Sequence, residues 1–528
     1  MDTVKIMNGL HRLFFSSFRL RSIDDIRFFP LEKNLNVTLV DPINERSDPI
    51  SFIPTLNFDI TNLFIQNRYS EQKGGAVHYN DPGWTTPKFR IFNTTFFNCS
   101  SNLDGGAMYI FRASELIINQ SVYDSTKGSS GGAKYLSTIS SVSVVDSQFN
   151  NSMATSYGGS LYITTSNQVV IEKDIFVRSK SDVHGGALSI FQITNSLLIK
   201  NCVFDSCYAS SYGGAIYLGS ISAGDVSIIE CIVYNCSSNS RGGFLYASIS
   251  ISLKIFKLCA YKTSTTSYGH VIYTAISSAK YVFNNFSSFV ECGKSAGYGA
   301  HYSETNMLEY NYINFSKNTA QYSSAIHTSG YGCTFSYCTL DSNVASVEKI
   351  ITVTLQSNSG TFWYMNFCEN SITQSSKPYI YLSSNSVAYV FTFQFCIFQT
   401  SQNTNHILFN GENSNVLYYV KNCYIKNHPT LTSGGQYYFQ LTTTGTTNTE
   451  THVINHYSTY LCKTPDSLGQ QEVEPCQTIP PAPTTINLSD ISCQNPPASP
   501  TNCIYESSLD PSLLLSGIFQ ILIIQLIL

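Results

Sequence analysis

The sequence predicts an all-β protein built as a parallel β-helix solenoid, with about 14 coils of about 27 residues. Three observations carry the prediction. A glycine doublet followed by a short apolar-aromatic run recurs along the chain. A second landmark sits at a fixed distance before it. Large aliphatic residues then alternate with other residues after it.

The doublet is found at Gly74-Gly75-Ala76, Gly105-Gly106-Ala107, Gly131-Gly132-Ala133, Gly158-Gly159-Ser160, Gly185-Gly186-Ala187, Gly213-Gly214-Ala215 and Gly242-Gly243-Phe244. Degenerate copies follow at Gly269-His270-Val271, Tyr298-Gly299-Ala300 and Ser323-Ser324-Ala325, and the doublet returns at Gly434-Gly435. Successive spacings through Ser323 are 31, 26, 27, 27, 28, 29, 27, 29 and 25 residues. Carrying the period forward places eroded copies near Ile350, Lys377 and Asn405.

Nine residues before the doublet stands a bulky apolar residue, as at Phe96, Val122, Phe149, Phe176, Phe204, Val233 and Phe289. Three residues after it comes cysteine or serine: Cys99, Ser125, Ser152, Ser179, Cys207, Cys236 and Cys292. In Gly213-Gly214-Ala215-Ile216-Tyr217-Leu218 the aliphatics fall at every second position, the period of a strand. No proline occurs between Pro87 and Pro378, as strands paired on both edges require. A unit of this size cannot bury its own apolar face, so stacking on like units supplies the core. With strands ~4.8 Å apart, fourteen coils make a rod of about 65 Å. A propeller blade of ~40–45 residues is too long for the period.

Residues 1–50 form an N-terminal segment that serves as a candidate cap. Its apolar stretch Leu13-Phe14-Phe15 is too short for a secretory signal core of roughly 7–15 residues. The solenoid is expected over 51–440. Residues 441–512 are rich in threonine and proline and contain Cys462, Cys476, Cys493 and Cys503, which allow two disulfides in any of three connectivities. They read as a stalk or cap. The apolar run Leu513 to Leu528 ends the sequence and reads as a lipid-anchor signal or a short membrane tail, or else as a buried terminal element.

Composition narrows the function. The 528 residues carry 30 Lys+Arg and 34 Asp+Glu, a net charge of −4, and only 12% of residues are charged, which argues against a nucleic-acid partner. Sixteen cysteines accompany nine glycosylation sequons, at Asn36, Asn93, Asn98, Asn119, Asn150, Asn235, Asn285, Asn314 and Asn487. Together they favour a secreted or surface protein, with compositional bias in a cytosolic chain as the alternative.

Stacking turns each repeat position into a ladder. Tyr109, Tyr135, Tyr162, Tyr217, Tyr246, Tyr273, Tyr302, Tyr381 and Tyr438 follow the doublet at one fixed offset, with Phe409 at the same phase. Strand alternation turns these rings outward, since the flanking aliphatics are better core residues. The stripe is either an adhesive surface or a stabilising stack covered by loops. Lys134 and His301 interrupt the row expected to face inward. Cysteines also align, Cys202 with Cys231 and Cys207 with Cys236, giving a Cys-x4-Cys spacing that recurs at Cys333 and Cys338. This is a near miss for zinc hooks, so stacked thiols or disulfides are expected and no metal or other cofactor.

The pairing of Gly-Gly-Ala-[Ile/Leu] with an upstream Phe-x-x-polar motif resembles the polymorphic outer-membrane proteins of chlamydiae and similar surface proteins of trichomonad protists. The resemblance covers residues 64 to about 440, and its Phe-x-x-Asn form is seen at Phe64 to Asn67 and Phe315 to Asn318. It implies a right-handed helix, a cell-surface location and a role in adhesion or display toward a protein or glycan of a host or neighbouring cell. The chlamydial proteins end in a membrane barrel, whereas this chain ends in an apolar tail, closer to the protist type and consistent with attachment to the plasma membrane.

Catalysis is the competing expectation, because many parallel β-helices process polysaccharides as lyases or glycosidases. Such chemistry needs converging carboxylates. Asp104, Asp182, Asp205 and Asp341 stand apart in the sequence, so no catalytic residue is assigned. A soluble structural solenoid is the third reading.

Overall fold

A computed structural model describes residues 37–39, 50–51, 58–80, 87–277, 280–304, 307–384, 389–399, 406–412, 414–426, 430–440 and 443–445. These residues are all-β, without a helix, and they form a parallel β-solenoid of about 13 turns, each about 27 residues after the last. The stalk cysteines Cys462, Cys476, Cys493 and Cys503, the sequons at Asn36 and Asn487, and the apolar run Leu513 to Leu528 lie outside the described residues.

One coil shows how the repeat becomes a lap. Leu161–Thr164 and Gln168–Glu172 lie on the largest sheet, Ile175–Val177 on the second and Lys180–Ser181 on the third. Each strand pairs in parallel with its counterpart one coil on: Leu161 with Leu188, Val169 with Leu197, Phe176 with Phe204 and Ser181 with Ala209. The backbone groups of one lap are thereby satisfied by the next, and the solenoid exists only as a stack.

The corners explain the glycine doublet, and its two members act differently. The first glycine has positive φ, from +62° to +72° between Gly74 and Gly269. The second glycine is constrained by its neighbour coil. A Cβ on Gly214 would lie 2.0 Å from the Gly243 carbonyl oxygen, inside any allowed contact. Besides the bend at Arg112, Thr138, Thr165, Gln192 and Ser220 within the largest sheet, two further corners also turn through positive φ but carry ordinary residues. One runs through Asn67, Asn98, Asn151 and Asn235, the other through Asn62, Asn93 and Asn201 and then Phe286, Tyr312, Tyr337 and Tyr364. Asparagine tolerates this conformation; the aromatics accept it while stacking at 4.8–4.9 Å along the corner.

The core fills the lumen. Phe96, Tyr123, Phe149, Phe176 and Phe204 stack 4.8–5.1 Å apart, one ring per coil, all fully buried. Tyr123 rather than Val122 supplies the ring of its coil, and Thr126 rather than Ser125 follows it inward. That coil is one residue shorter before its doublet, and pairing of Tyr123 with both Phe96 and Phe149 fixes the register. For the same reason Phe64 to Asn67 is not a copy of the motif. Ile65 points inward and pairs with Phe96, while Phe64 is 40% exposed and Asn67 is a corner.

Lys134 and His301 do face inward and are fully buried. The Lys134 Nζ sits 3.5 Å from the centre of the Tyr123 ring and 4.7 Å from that of Phe149. Burial pushes the Lys134 ammonium well below its ordinary range and the Asp174 carboxyl well above its own, so each is favoured in its neutral form.

Three residues past each core ring runs an inward polar ladder: Cys99, Thr126, Ser152, Ser179, Cys207, Cys236, Thr263, Cys292, Asn318, Asn343 and Asn370, all buried. Ten of the described cysteines are free and buried in the lumen. Cys259 and Cys368, on the second sheet, are disulfide-bonded.

Candidate functional site

The residue that follows the doublet at the tyrosine phase lies on the outer side of the largest sheet. Tyr109 pairs with Tyr135 and Tyr135 with Tyr162, at ring separations of 5.0 and 4.9 Å. Ser189 interrupts the row, and Tyr217, Tyr246, Tyr273 and Tyr302 resume it at 5.0–5.6 Å. His327 extends it at 4.5 Å from Tyr302, Thr352 breaks it again and Tyr381 follows.

Two assignments to this row fail. Tyr438 pairs with Tyr419 on the neighbouring strand position and does not join the row. Its doublet, Gly434-Gly435, lies between the strands Thr430–Ser433 and Gln436–Gln440 instead of before the first of them. The final lap is short, so the offset counted from this doublet selects a different ladder. Phe409 pairs with Ile380 and is fully buried in the core; Asn410 holds the outer position.

A second row flanks the first. It is formed by the residue before each doublet: Tyr157, His184, Tyr212, Arg241, Tyr268, Tyr298 and Tyr322, each bridged in parallel to the next. The Ser-Tyr-Gly triplets at Ser156, Ser211 and Ser267 were the visible signal for it. His184 closes the gap left by Ser189, stacking on Tyr217 at 4.6 Å and 6°. Tyr212 stacks on Tyr246 at 4.8 Å, and Tyr268 contacts Tyr302 at 4.7 Å.

The two rows make one aromatic wall. The first row is covered in part: Tyr273 is 0% exposed, Tyr109 4% and Tyr246 9%, whereas Tyr135, Tyr162, Tyr217, Tyr302 and Tyr381 are half-buried. All members of the second row are half-buried and form the accessible rim. From Tyr109 to His327 the wall spans eight coil steps, about 38 Å at ~4.8 Å per step.

Polar groups punctuate the rim. Arg241 donates to the Tyr273 hydroxyl at 3.0 Å and lies 4.9 Å from that ring's centre, and Tyr273 donates to Glu304 at 2.8 Å. Lys73 sits 4.4 Å from the Tyr109 ring centre and 3.7 Å from Asp104. Burial pushes the Tyr217 phenol up to about 12, and burial first, then Lys349, holds His327 down at about 3. Burial also lowers His184. The Tyr217 phenol is therefore a neutral donor and acceptor, and the His327 imidazole uncharged, across the physiological range.

Among the sequons, Asn93, Asn98 and Asn235 are exposed corner residues, and Asn119, Asn150 and Asn285 are half-buried. Asn314 is only 6% exposed, and its carbonyl oxygen accepts a hydrogen bond from Ser316, so glycan transfer to it in the folded chain is blocked. The acidic residues weighed for catalysis stay apart, with Asp182 paired to Lys180 and Asp341 accepting from Ser342. Among the described residues no group of three or more His, Cys, Asp or Glu is placed to hold a metal ion. No helix among them is long and apolar enough to cross a membrane.

No family model, curated protein or solved structure matches the chain.

Proposed function

We propose that this protein is an exported, membrane-tethered solenoid that acts in adhesion or surface display. It presents its aromatic wall to a protein or glycan of a neighbouring cell, and it binds without chemical turnover. The observation that carries the reading is the wall itself. Rings in two registers run side by side for six coil steps, about 29 Å at ~4.8 Å per coil, with hydroxyl, guanidinium and carboxylate groups along the rim. Such a surface combines apolar area with hydrogen bonding at low side-chain entropy, the combination that enriches tyrosine where proteins bind. A solenoid that needed the rings only for stacking would gain from a single row. The disulfide-bonded Cys259 and Cys368 support an oxidising compartment, and the exposed corner sequons agree with it.

Replacing Tyr212, Tyr268 and Tyr298 together by serine tests the wall. Binding of the purified chain to cells or matrix is expected to fall at least about tenfold, as hot-spot aromatics would predict. Unchanged binding by a variant with the same strand content would reduce the wall to scaffolding. Biotinylation of intact cells tests the location: an unlabelled chain in cells that contain it removes the surface reading.

A further inference from the structure

The outer side of the second sheet changes character along the stack. In early coils its outward residues meet solvent: Phe97 is 39% exposed and Gln148 is exposed. From Cys259 onward at least one outward residue of each strand is buried, with Cys259 at 5%, Ser288 at 0%, Asn314 at 6%, Asp341 at 8%, Cys368 at 3% and Ile397 at 3%. The backbone neighbours of these strands are the same strands of adjacent coils, so no described strand covers the face.

The cysteines say what does. All ten free thiols lie on inward ladders. Cys259 flanks the inward Ala260, and Cys368 flanks the inward Phe367, so both point outward from this face. They are disulfide-bonded, yet they cannot bond each other. Three strands separate them, about 19 Å at ~4.8 Å per step, against the ~3.8 Å that a disulfide allows between Cβ atoms. Four of the sixteen cysteines remain, all in the Pro-rich segment after the solenoid. We propose that Cys259 and Cys368 are joined by disulfides to two of Cys462, Cys476, Cys493 and Cys503, so that the chain after the solenoid is stapled to its second sheet. Cys259 lies seven strands back from Thr443–Gly445, about 34 Å at ~4.8 Å per strand. The chain from Gly445 to Cys462 alone reaches about 56 Å at ~3.3 Å per residue.

Each bridge forms by thiol–disulfide exchange with a disulfide-bearing oxidase. Two thiols lose two protons and two electrons, and the oxidase leaves as its dithiol. The inference rests on export to the extent that it needs an oxidising compartment. Disulfide mapping by non-reducing proteolysis of the full chain, taken from cells under acid quench, tests it. Cross-linked peptides joining Cys259 and Cys368 to the tail are expected. Alkylated Cys259 and Cys368 with two bridges inside 462–503 would overturn the staple and leave the surface reading standing. Sixteen alkylated thiols would overturn both. As a second measurement, Cys259→Ser and Cys368→Ser are each expected to release one tail thiol that a maleimide labels without denaturant; no new labelling would sink the proposal.

Discussion

The coils between Gly105 and Tyr246 and those between Asn318 and Asn370 are held to one pitch by different means. In the earlier coils the backbone does the work. Both doublet positions are glycine, and second-glycine carbonyls approach so closely that no side chain fits. The inward polar ladder there is cysteine, serine or threonine, whose thiols make only long contacts, such as Cys236 Sγ to the Phe204 carbonyl at 3.5 Å. In the later coils the doublet has become Ser323-Ser324. The ladder is now asparagine, and each rung is tied to its neighbours by side-chain amides. Asn343 donates to the Phe315 carbonyl at 2.8 Å and to Asn370 at 2.9 Å. Its own carbonyl oxygen accepts from the Asn318 backbone and side chain at 3.0 Å. Glycine is dispensable where another group fixes the distance between laps.

The sharpest test of this contrast is one substitution made in both regions. Gly214→Ala drives a methyl group into the Gly243 carbonyl and is expected to destabilise by about 3 kcal/mol or more. Ser324→Ala, at the same position of a later coil, removes a buried hydroxyl with no hydrogen-bond partner and is expected to be neutral or stabilising by up to about 1 kcal/mol. Equal losses in urea unfolding would show that the corner is equally tight throughout.

The converse pair probes the ladders. Asn343→Ala deletes two donors and strands the buried Asn318 amide, so a loss of about 2–4 kcal/mol is expected. Cys236→Ala removes only weak thiol contacts and a small volume, for a loss of about 1 kcal/mol. Similar melting shifts for the two variants would refute the claim that asparagine takes over the role of glycine.

The dependence of stability on pH is a separate test. His270 sits at a doublet position and His301 in the lumen, both fully buried, and burial lowers them to about 4 and about 3. Unfolded imidazoles take up protons below about pH 6.5, whereas the folded ones do so only near their depressed values. The contribution of these residues is complete above pH 6.5 and drains as pH falls toward 4 and 3, by up to about 1.4 kcal/mol per pH unit for each. Replacing both by apolar residues is expected to flatten the dependence of melting temperature on pH between 6.5 and 4. An unchanged slope would mean that other groups set it.

Much of this was legible in the sequence. The period, the strand content and the inward aliphatics follow from landmarks that repeat, because stacked laps force like residues onto like positions. The first tyrosine row was legible for that reason too. Its errors share one cause. Val122, Ser125, Phe64, Asn67, Tyr438 and Phe409 were placed by counting from a landmark, and a lap that gains or loses a residue shifts the count by one, which turns a side chain from one face to the other. Backbone pairing resolves the shift and counting cannot.

The sequence by itself determined that the chain is a stack of laps and which residues recur in them, since no single lap can bury its own apolar face. Only the tertiary structure decided which way each residue points and what covers it. The first tyrosine row is outward, yet Tyr246 and Tyr273 within it are hidden, because Tyr212 and Arg241 of the flanking row stand over them. Asn314 belongs to a sequon and is buried. The pairing of one lap with the next is a long-range property, and accessibility follows from that pairing rather than from local pattern.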